Sequence, residues 1–383
     1  MIYIAATALT SLAAFAFERR RRWLWLAVLA AVPLCVVAAA RWNVGTDFRR
    51  TYLPMYRALE RLRGSPVHPN DEKAFIRLAR KDMYGGTPVT VYRHFKSVLG
   101  RTEPGYRLLM EGALRSGLGF RAVLAVCAAL TALFVFFAIF RFSRWPSLAA
   151  FLYVATGNYF LSLNIMRQYV AVALGLVAVA YILNRRPWMF LACVAAAASF
   201  HVTALALLPL YALSRWELTP VRGVALIIAA LLFSLAAAPL LHWTLDAIGA
   251  EHYLRYFTGG LADDGFEWAF FAINCCFLLM GAWYWRGATA GNRYFAIWYG
   301  MTVVGTAVLA FSHTVPVMKR INFYYAAPQF LMLPEMLLAE TNPRRRKILV
   351  AFAVAAFAAE TAVAVYWLNK NGVLPYSVGR LFG

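Results

Sequence analysis

Asn164-Ile165-Met166-Arg167-Gln168-Tyr169-Val170-Ala171-Val172-Ala173-Leu174-Gly175-Leu176-Val177-Ala178-Val179-Ala180-Tyr181-Ile182-Leu183 is an apolar run with a polar foot, closed by Asn184-Arg185-Arg186-Pro187. The run from Tyr169 to Leu183 holds no charge and reads as a membrane helix. If the helix extends back through Met166, then Asn164, Arg167 and Gln168 stand at i, i+3 and i+4 and share one face. An arginine at the centre of a membrane helix costs about 2.5 to 3.5 kcal/mol, and less near the interface. Arg167 therefore either snorkels to the headgroups or faces a cavity or an anionic group; with amide neighbours on its face, both readings stay open.

Composition extends this reading to the whole chain. Of 383 residues, 62% are hydrophobic and 14% are charged, against about a quarter charged in soluble proteins. The apolar runs are about 17 to 21 residues long and rich in Ala, Leu and Val, unlike the short alternating strands of a β-barrel. The expected fold is all-α, a single polytopic membrane domain over residues 1–383 with about 10 to 12 transmembrane segments. Cys35, Cys127, Cys193, Cys275 and Cys276 lie in apolar runs without paired or metal-ligand spacing and read as small core residues. The net charge of +21 suits topology, anionic lipid or an anionic substrate; nucleic acid is a poor partner for a chain mostly in lipid.

Basic runs set the expected orientation. Met1 to Phe17 precedes Glu18-Arg19-Arg20-Arg21-Arg22 and reads as a first span with its N-terminus outside, and Trp23 to Ala40 returns outward. Residues 41–120 form a long extracytoplasmic loop with about fifteen Lys and Arg against seven Asp and Glu. Within it Arg50 to Arg63 and Glu103 to Gly119 carry apolar stripes and read as interfacial helices. Ala122 to Phe140, Pro146 to Leu161 and Tyr169 to Leu183 are the next spans. Counting back from the basic run Pro343 to Lys347 makes Ile348 to Leu368 a span and puts 242–267 and 312–320 outside. The two counts meet at Trp188 to Leu213, which must begin and end on the same side, so a broken or re-entrant pair of half-helices is expected there, with the break at Ser199-Phe200-His201-Val202-Thr203.

Candidate chemistry collects at the outer ends of spans. Asp47, after Gly45-Thr46, is either an N-cap or a base able to accept a proton from a hydroxyl. Arg41 is either an interface anchor or a phosphate ligand. His201 is either a packed, hydrogen-bonded core residue or a base; Glu103 either starts a helix or belongs to the site; Glu360 lies mid-span, functional or a helix-to-helix hydrogen bond. Arg41, Arg167 and Arg320 at one membrane depth suit a lipid-linked pyrophosphate. No Gly-rich phosphate loop, Ser-His-Asp ordering or HExxH is present, so ATP hydrolysis and zinc proteolysis have no support.

In order along the chain, Arg41 with Gly45-Thr46-Asp47 and Tyr52, Glu103-Pro104-Gly105-Tyr106, Asn164 to Gln168 with Ala171, Phe200-His201 with Ala204, Arg320 with Tyr324, and Pro375-Tyr376 resemble the EpsG family of Wzy-type polysaccharide polymerases. Thr203 stands where the family usually has serine, and the sequence around Gly64 to Ser97 makes the loop before Glu103 longer than usual. The resemblance implies a bacterial inner-membrane enzyme that moves a growing glycan from polyprenyl pyrophosphate to a hydroxyl of an incoming lipid-linked repeat unit, on the outer face. Such a reaction needs a base at the acceptor hydroxyl, and the hypothesis is Asp47 as base, or His201 in its place. Arg41, Arg167 and Arg320 would bind pyrophosphate, while Gln168, Asn164, Glu103, Tyr106 and Tyr324 shape the glycan site. No metal or other cofactor is implied, since arginines can stabilise a departing pyrophosphate. The implied partners are the lipid-linked donor and acceptor, the bilayer, and a chain-length regulator or flippase. A lipid-linked glycan ligase and a transporter that does no chemistry remain rival readings.

Overall fold

The computed structural model describes residues 1–20, 23–64, 102–247, 267–313, 315 and 317–378. Among them every regular element is helical. In chain order these are α1 Ile2–Arg19, α2 Trp25–Ala40, a π-helical turn Phe48–Tyr52, α3 Leu53–Gly64, α4 Pro104–Arg115, α5 Gly119–Phe142, α6 Pro146–Ala155, α7 Asn158–Asn164, α8 Met166–Leu183 and α9 Pro187–Phe200. A 3-10 segment Val202–Leu207 then leads to α10 Leu208–Leu213, α11 Pro220–Ala247, α12 Trp268–Trp283, α13 Trp285–Gly291, α14 Phe295–Leu309, α15 Val317–Ala326, α16 Gln329–Ala339 and α17 Pro343–Thr361. The extra loop sequence around Gly64 to Ser97 and most of the outer loop after His242 lie outside the described residues.

Proline opens α4, α6, α9 and α17, where its missing N–H has no partner to lose and its fixed φ suits the first turn. By length and hydropathy α5, α8 and α17, the last continued by the π-helical Ala362–Trp367, can each cross a membrane alone. The pair α12 and α13, bent by 80°, makes a fourth if it is one span; seven other apolar segments are shorter. The long runs of the sequence are thus more broken than their hydropathy suggests. The run beginning at Pro146 divides at Gly157, whose φ of +79° suits glycine. The α12–α13 bend is a second break that the sequence did not announce.

The break expected near His201 is present. Helix α9 ends at Phe200, His201 is extended, and the chain returns as 3-10 helix and α10. Phe190 and Tyr211 meet at a ring distance of 5.3 Å, and residues 210–218 line one cavity with Ile182, Leu183 and Arg185. The hairpin therefore starts and finishes at the same end of the bundle. Its irregular leg is covered by protein: Tyr325 donates to the carbonyl of Ala206 at 2.5 Å, and Thr203 Oγ1 meets the Tyr324 hydroxyl at 3.0 Å. Backbone freed from helical bonding can lie at membrane depth when other groups satisfy it.

Helix α8 is central and mostly buried, α5 is about half-buried, and α17 is largely exposed. It packs on α5 and α9, while α1, α2, α5 and α6 form one flank and α11, α12, α14 and α15 another. The outward side chains of α17 and α11, such as Phe352 and Leu235, are exposed and apolar, as lipid contact requires.

Hydrogen bonds tie two opposite ends. At one, Glu18 accepts from the Ser147 N–H at 2.5 Å, Asn292 donates to the Phe142 carbonyl at 2.8 Å, and Arg293 donates to Asn184 at 2.7 Å. There the fully buried Glu335 also takes both the backbone N–H and the Nε of Arg144, at 2.8 and 2.6 Å. The basic turns Arg141 to Trp145 and Asn184 to Pro187 gather at this end. At the other end the irregular C-terminal tail closes on the start of the chain: Tyr3 donates to the Val373 carbonyl, Trp42 N–H to the Ser377 carbonyl and Gly45 N–H to the Gly372 carbonyl.

Candidate functional site

The tail end holds the cluster. Glu103 precedes α4 in the N-cap position, but its side chain makes no capping bond. Instead Oε1 contacts Nδ1 of His201 at 2.8 Å, and Oε2 pairs with Nη1 of Arg167. The Val202 N–H also points to Oε1, at 3.4 Å. Three elements meet in one carboxylate: the start of α4, the first turn of α8 and the break after α9. Gly105 permits this approach, since a Cβ there would stand 2.9 Å from the Ser199 carbonyl oxygen.

Burial pushes the Glu103 carboxyl up, but the His201 hydrogen bond and the Arg167 charge outweigh it and hold it below the usual carboxylate range. Arg167 also lies over the Tyr106 ring, 5.4 Å from its centroid, so its planar head is fixed by a charge below and a π-face beside it. A carboxylate on Nδ1 fixes the ring of a histidine and leaves Nε2 for proton transfer.

Asp47 stands beside this group. Its side chain caps nothing, so the N-cap reading does not hold. Its carboxylate has no ion-pair or hydrogen-bond partner among the described residues, although its backbone N–H donates to Asn164 Oδ1 at 3.1 Å. Burial pushes the carboxyl up, against the charges of Arg320, Arg167 and Arg50. Arg320 is exposed at the start of α15; the same turn carries Lys319, paired with Glu267.

Several expected ligands have other work. Asn164, Arg167 and Gln168 do not share a helical face, because Ile165 with ψ +52° separates α7 from α8 and leaves Asn164 on α7. Asn164 binds the Gly45–Asp47 turn, also accepting from Thr46 at 2.8 Å. Gln168, 3% exposed, donates to the Arg320 carbonyl at 2.7 Å and anchors α15. Tyr106 and Tyr324 are buried, one beneath Arg167 and the other holding the hairpin through Thr203. Both side chains are packed under the cluster, Tyr106 at 0% and Tyr324 at 2% exposure.

Arg41 departs furthest from expectation. It is 2% exposed, donating to the Ala38 carbonyl at 2.5 Å and contacting Met166 Sδ at 3.3 Å, with Nε unpartnered among the described residues. Packing of α5 and α7 around the end of α2 covers it, and it lies beneath Arg167, the two charges sharing Tyr52, Tyr106 and Cys127 as neighbours. Glu360 lies apart from the cluster, in a cavity of about 170 Å³ with Asn274, Asn322 and Lys370. Sequence reasoning missed the Glu103–His201–Arg167 contact and the support from Tyr52, whose ring lies 6.2 Å from that of Tyr106. Glu103-Pro104-Gly105-Tyr106 was a signal for a helix start; nothing in it names a partner 98 residues away.

Fold and cluster together define an all-α, multi-pass membrane protein whose paired acid, histidine and arginine lie at one end of the bundle. The chain belongs to the EpsG family, whose model matches residues 24–378. This is a family of polysaccharide-polymerase type, so the protein is a membrane component of polysaccharide synthesis. No curated protein and no solved structure matches the chain.

Proposed function

We infer that the protein is a Wzy-like polymerase of the bacterial inner membrane, with its working end on the outer face of one membrane domain. It extends an exopolysaccharide or O-antigen-type glycan, taking the chain from a polyprenyl pyrophosphate and joining it to a hydroxyl of the next lipid-linked repeat unit. The acceptor oxygen bonds to the anomeric carbon, the bond from that carbon to pyrophosphate breaks, and the hydroxyl proton passes to a base. Polyprenyl pyrophosphate leaves with the bonding electrons.

The observation that carries this reading is the contact of His201 Nδ1 with Glu103, 2.8 Å long, next to Arg167. His201 takes the proton at Nε2, and Glu103 holds the ring and favours the imidazolium that forms. Arg167 and Arg320 meet the phosphate oxygens, and Arg41 acts from beneath through Met166. The leaving group is stabilised by guanidinium charge, and no metal enters the scheme. Asp47 is the second candidate base, favoured by its unpaired carboxylate and by burial that raises its affinity for a proton.

The test is reconstitution of the purified protein with a lipid-pyrophosphate-linked repeat unit, resolving glycan length on a gel. A ladder is expected from the wild type. His201→Gln and Arg167→Lys are expected to lose at least about a hundredfold in rate, as a missing base and a missing bidentate fork would. If Asp47→Asn lost the ladder and His201→Gln kept it, Asp47 would be the base. No extension of a cognate substrate by a folded wild-type protein would remove the polymerase reading and leave the ligase or the transporter.

A further inference from the structure

A second charged recess lies at the opposite end of the molecule. It has a volume of about 460 Å³, within the range of small-ligand sites. The C-terminal end of α8, the return leg of the hairpin and the start of α14 enclose it. Met166 is at the cluster end of α8 and Leu183 at this recess, so about 27 Å of helix separates the two sites.

Arg185, Arg215, Arg222 and Arg293 line the recess, against one carboxylate, Glu217. Neutral groups hold three of the four arginines. Arg222 donates to the carbonyls of Trp216 and Glu217 at 2.5 and 3.3 Å, Arg293 donates to Asn184 at 2.7 Å, and Arg215 lies over the Tyr211 ring. Among the described residues none of the four is in an ion pair. Four like charges held around one space by neutral contacts repel each other, and an anion in that space relieves the repulsion. Guanidinium groups match the planar geometry of phosphate oxygens. The remaining wall is apolar, with Ile182, Leu210 and Ile297, and the exposed Trp216 at the rim suits the level of lipid headgroups.

We propose that this recess binds a phosphate-bearing anion, presented by an anionic phospholipid headgroup or free in solution. The assignment is independent of the reaction at Glu103, and its test reads binding alone. The full chain, purified in neutral detergent, is titrated with fluorescent phosphatidylglycerol and, separately, with phosphatidylcholine, each with and without inorganic phosphate in competition. Three variants run beside the wild type, each checked for its folding by thermal unfolding. The double variant Arg215→Gln with Arg293→Gln removes charge. Ile297→Trp fills the space and leaves every charge in place. Arg345→Gln with Arg346→Gln removes the same charge from the exposed start of α17.

Phosphatidylglycerol is expected to bind and phosphatidylcholine not to. The first two variants are expected to weaken the binding about tenfold or more, the double variant by loss of two charge-assisted contacts and Ile297→Trp by occupying the space, and the α17 control to leave it unchanged. Competition by inorganic phosphate identifies a free phosphate as sufficient; its absence identifies the lipid headgroup. Equal affinity in the wild type and both recess variants, or an equal loss in the α17 control, overturns the proposal.

Discussion

Glu103 commits both of its oxygens to a cation or a would-be cation, Arg167 and His201. With 9% of its side chain exposed, it cannot exchange these partners for water at low cost. Its affinity for a proton is lowered in the folded protein. The sign follows by linkage. An acid with a depressed folded value adds stability that is complete above the unfolded value of about 4.3, and this is lost as pH falls through the lower folded value. Acid unfolding in detergent, followed by tryptophan fluorescence, should therefore lose this contribution below about pH 4. Glu103→Gln should be less stable at neutral pH, and its difference from wild type should shrink on the acid side. A constant difference across that window would mean that the charge of Glu103 is not what its partners bind. Arg41 stands at the end of α2, as its position in the sequence implies, but it is enclosed there. The end of a span marks depth, but which neighbours close over that end depends on helices far along the chain.

At the scale of elements, the cluster exists because α4 comes close to the end of α9. Gly105 faces Ser199 at a distance no side chain tolerates. Gly105→Ala must push the first turn of α4 outward by a few tenths of an ångström or more, carrying Glu103 from His201. It is expected to reduce glycan extension by about tenfold or more, and also to lower the melting temperature, because Tyr106, Met110 and Ala113 of α4 are buried in the core and must shift with it. An unaltered rate would separate the Glu103–His201 contact from function. The hairpin itself was legible before any coordinates, because charges at Asn184 to Pro187 and the backward count from Pro343 left no consistent straight crossing. The α12–α13 bend was not legible, since Trp283-Tyr284-Trp285 contains neither glycine nor proline. Its angle is held from outside, by Tyr284 donating to Glu340 at 3.0 Å and by Gly287 against Ala339.

For the whole molecule, the two ends carry opposite assignments. Basic turns crowd the end that holds Arg185 and Arg293, and the Glu103 cluster crowds the other. If the hairpin starts and finishes on one side, single cysteines at Arg185 and Glu217 must be labelled from the same side of intact cells, and a cysteine at Thr46 from the other. Labelling of 185 and 217 from opposite sides would break the hairpin topology. The sequence by itself determined the helical membrane class, the basic ends and the point where the chain turns back. Those properties follow from hydropathy and charge, which act through solvent and lipid and need only neighbours along the chain. Only the tertiary structure decided that Glu103 holds Arg167 and His201, that Asn164 and Gln168 serve the backbone of other segments, and that Arg41 is enclosed. A carboxylate and its cation 64 residues away meet only when packed helices bring them together, and that packing depends on the fit of side chains across the whole bundle.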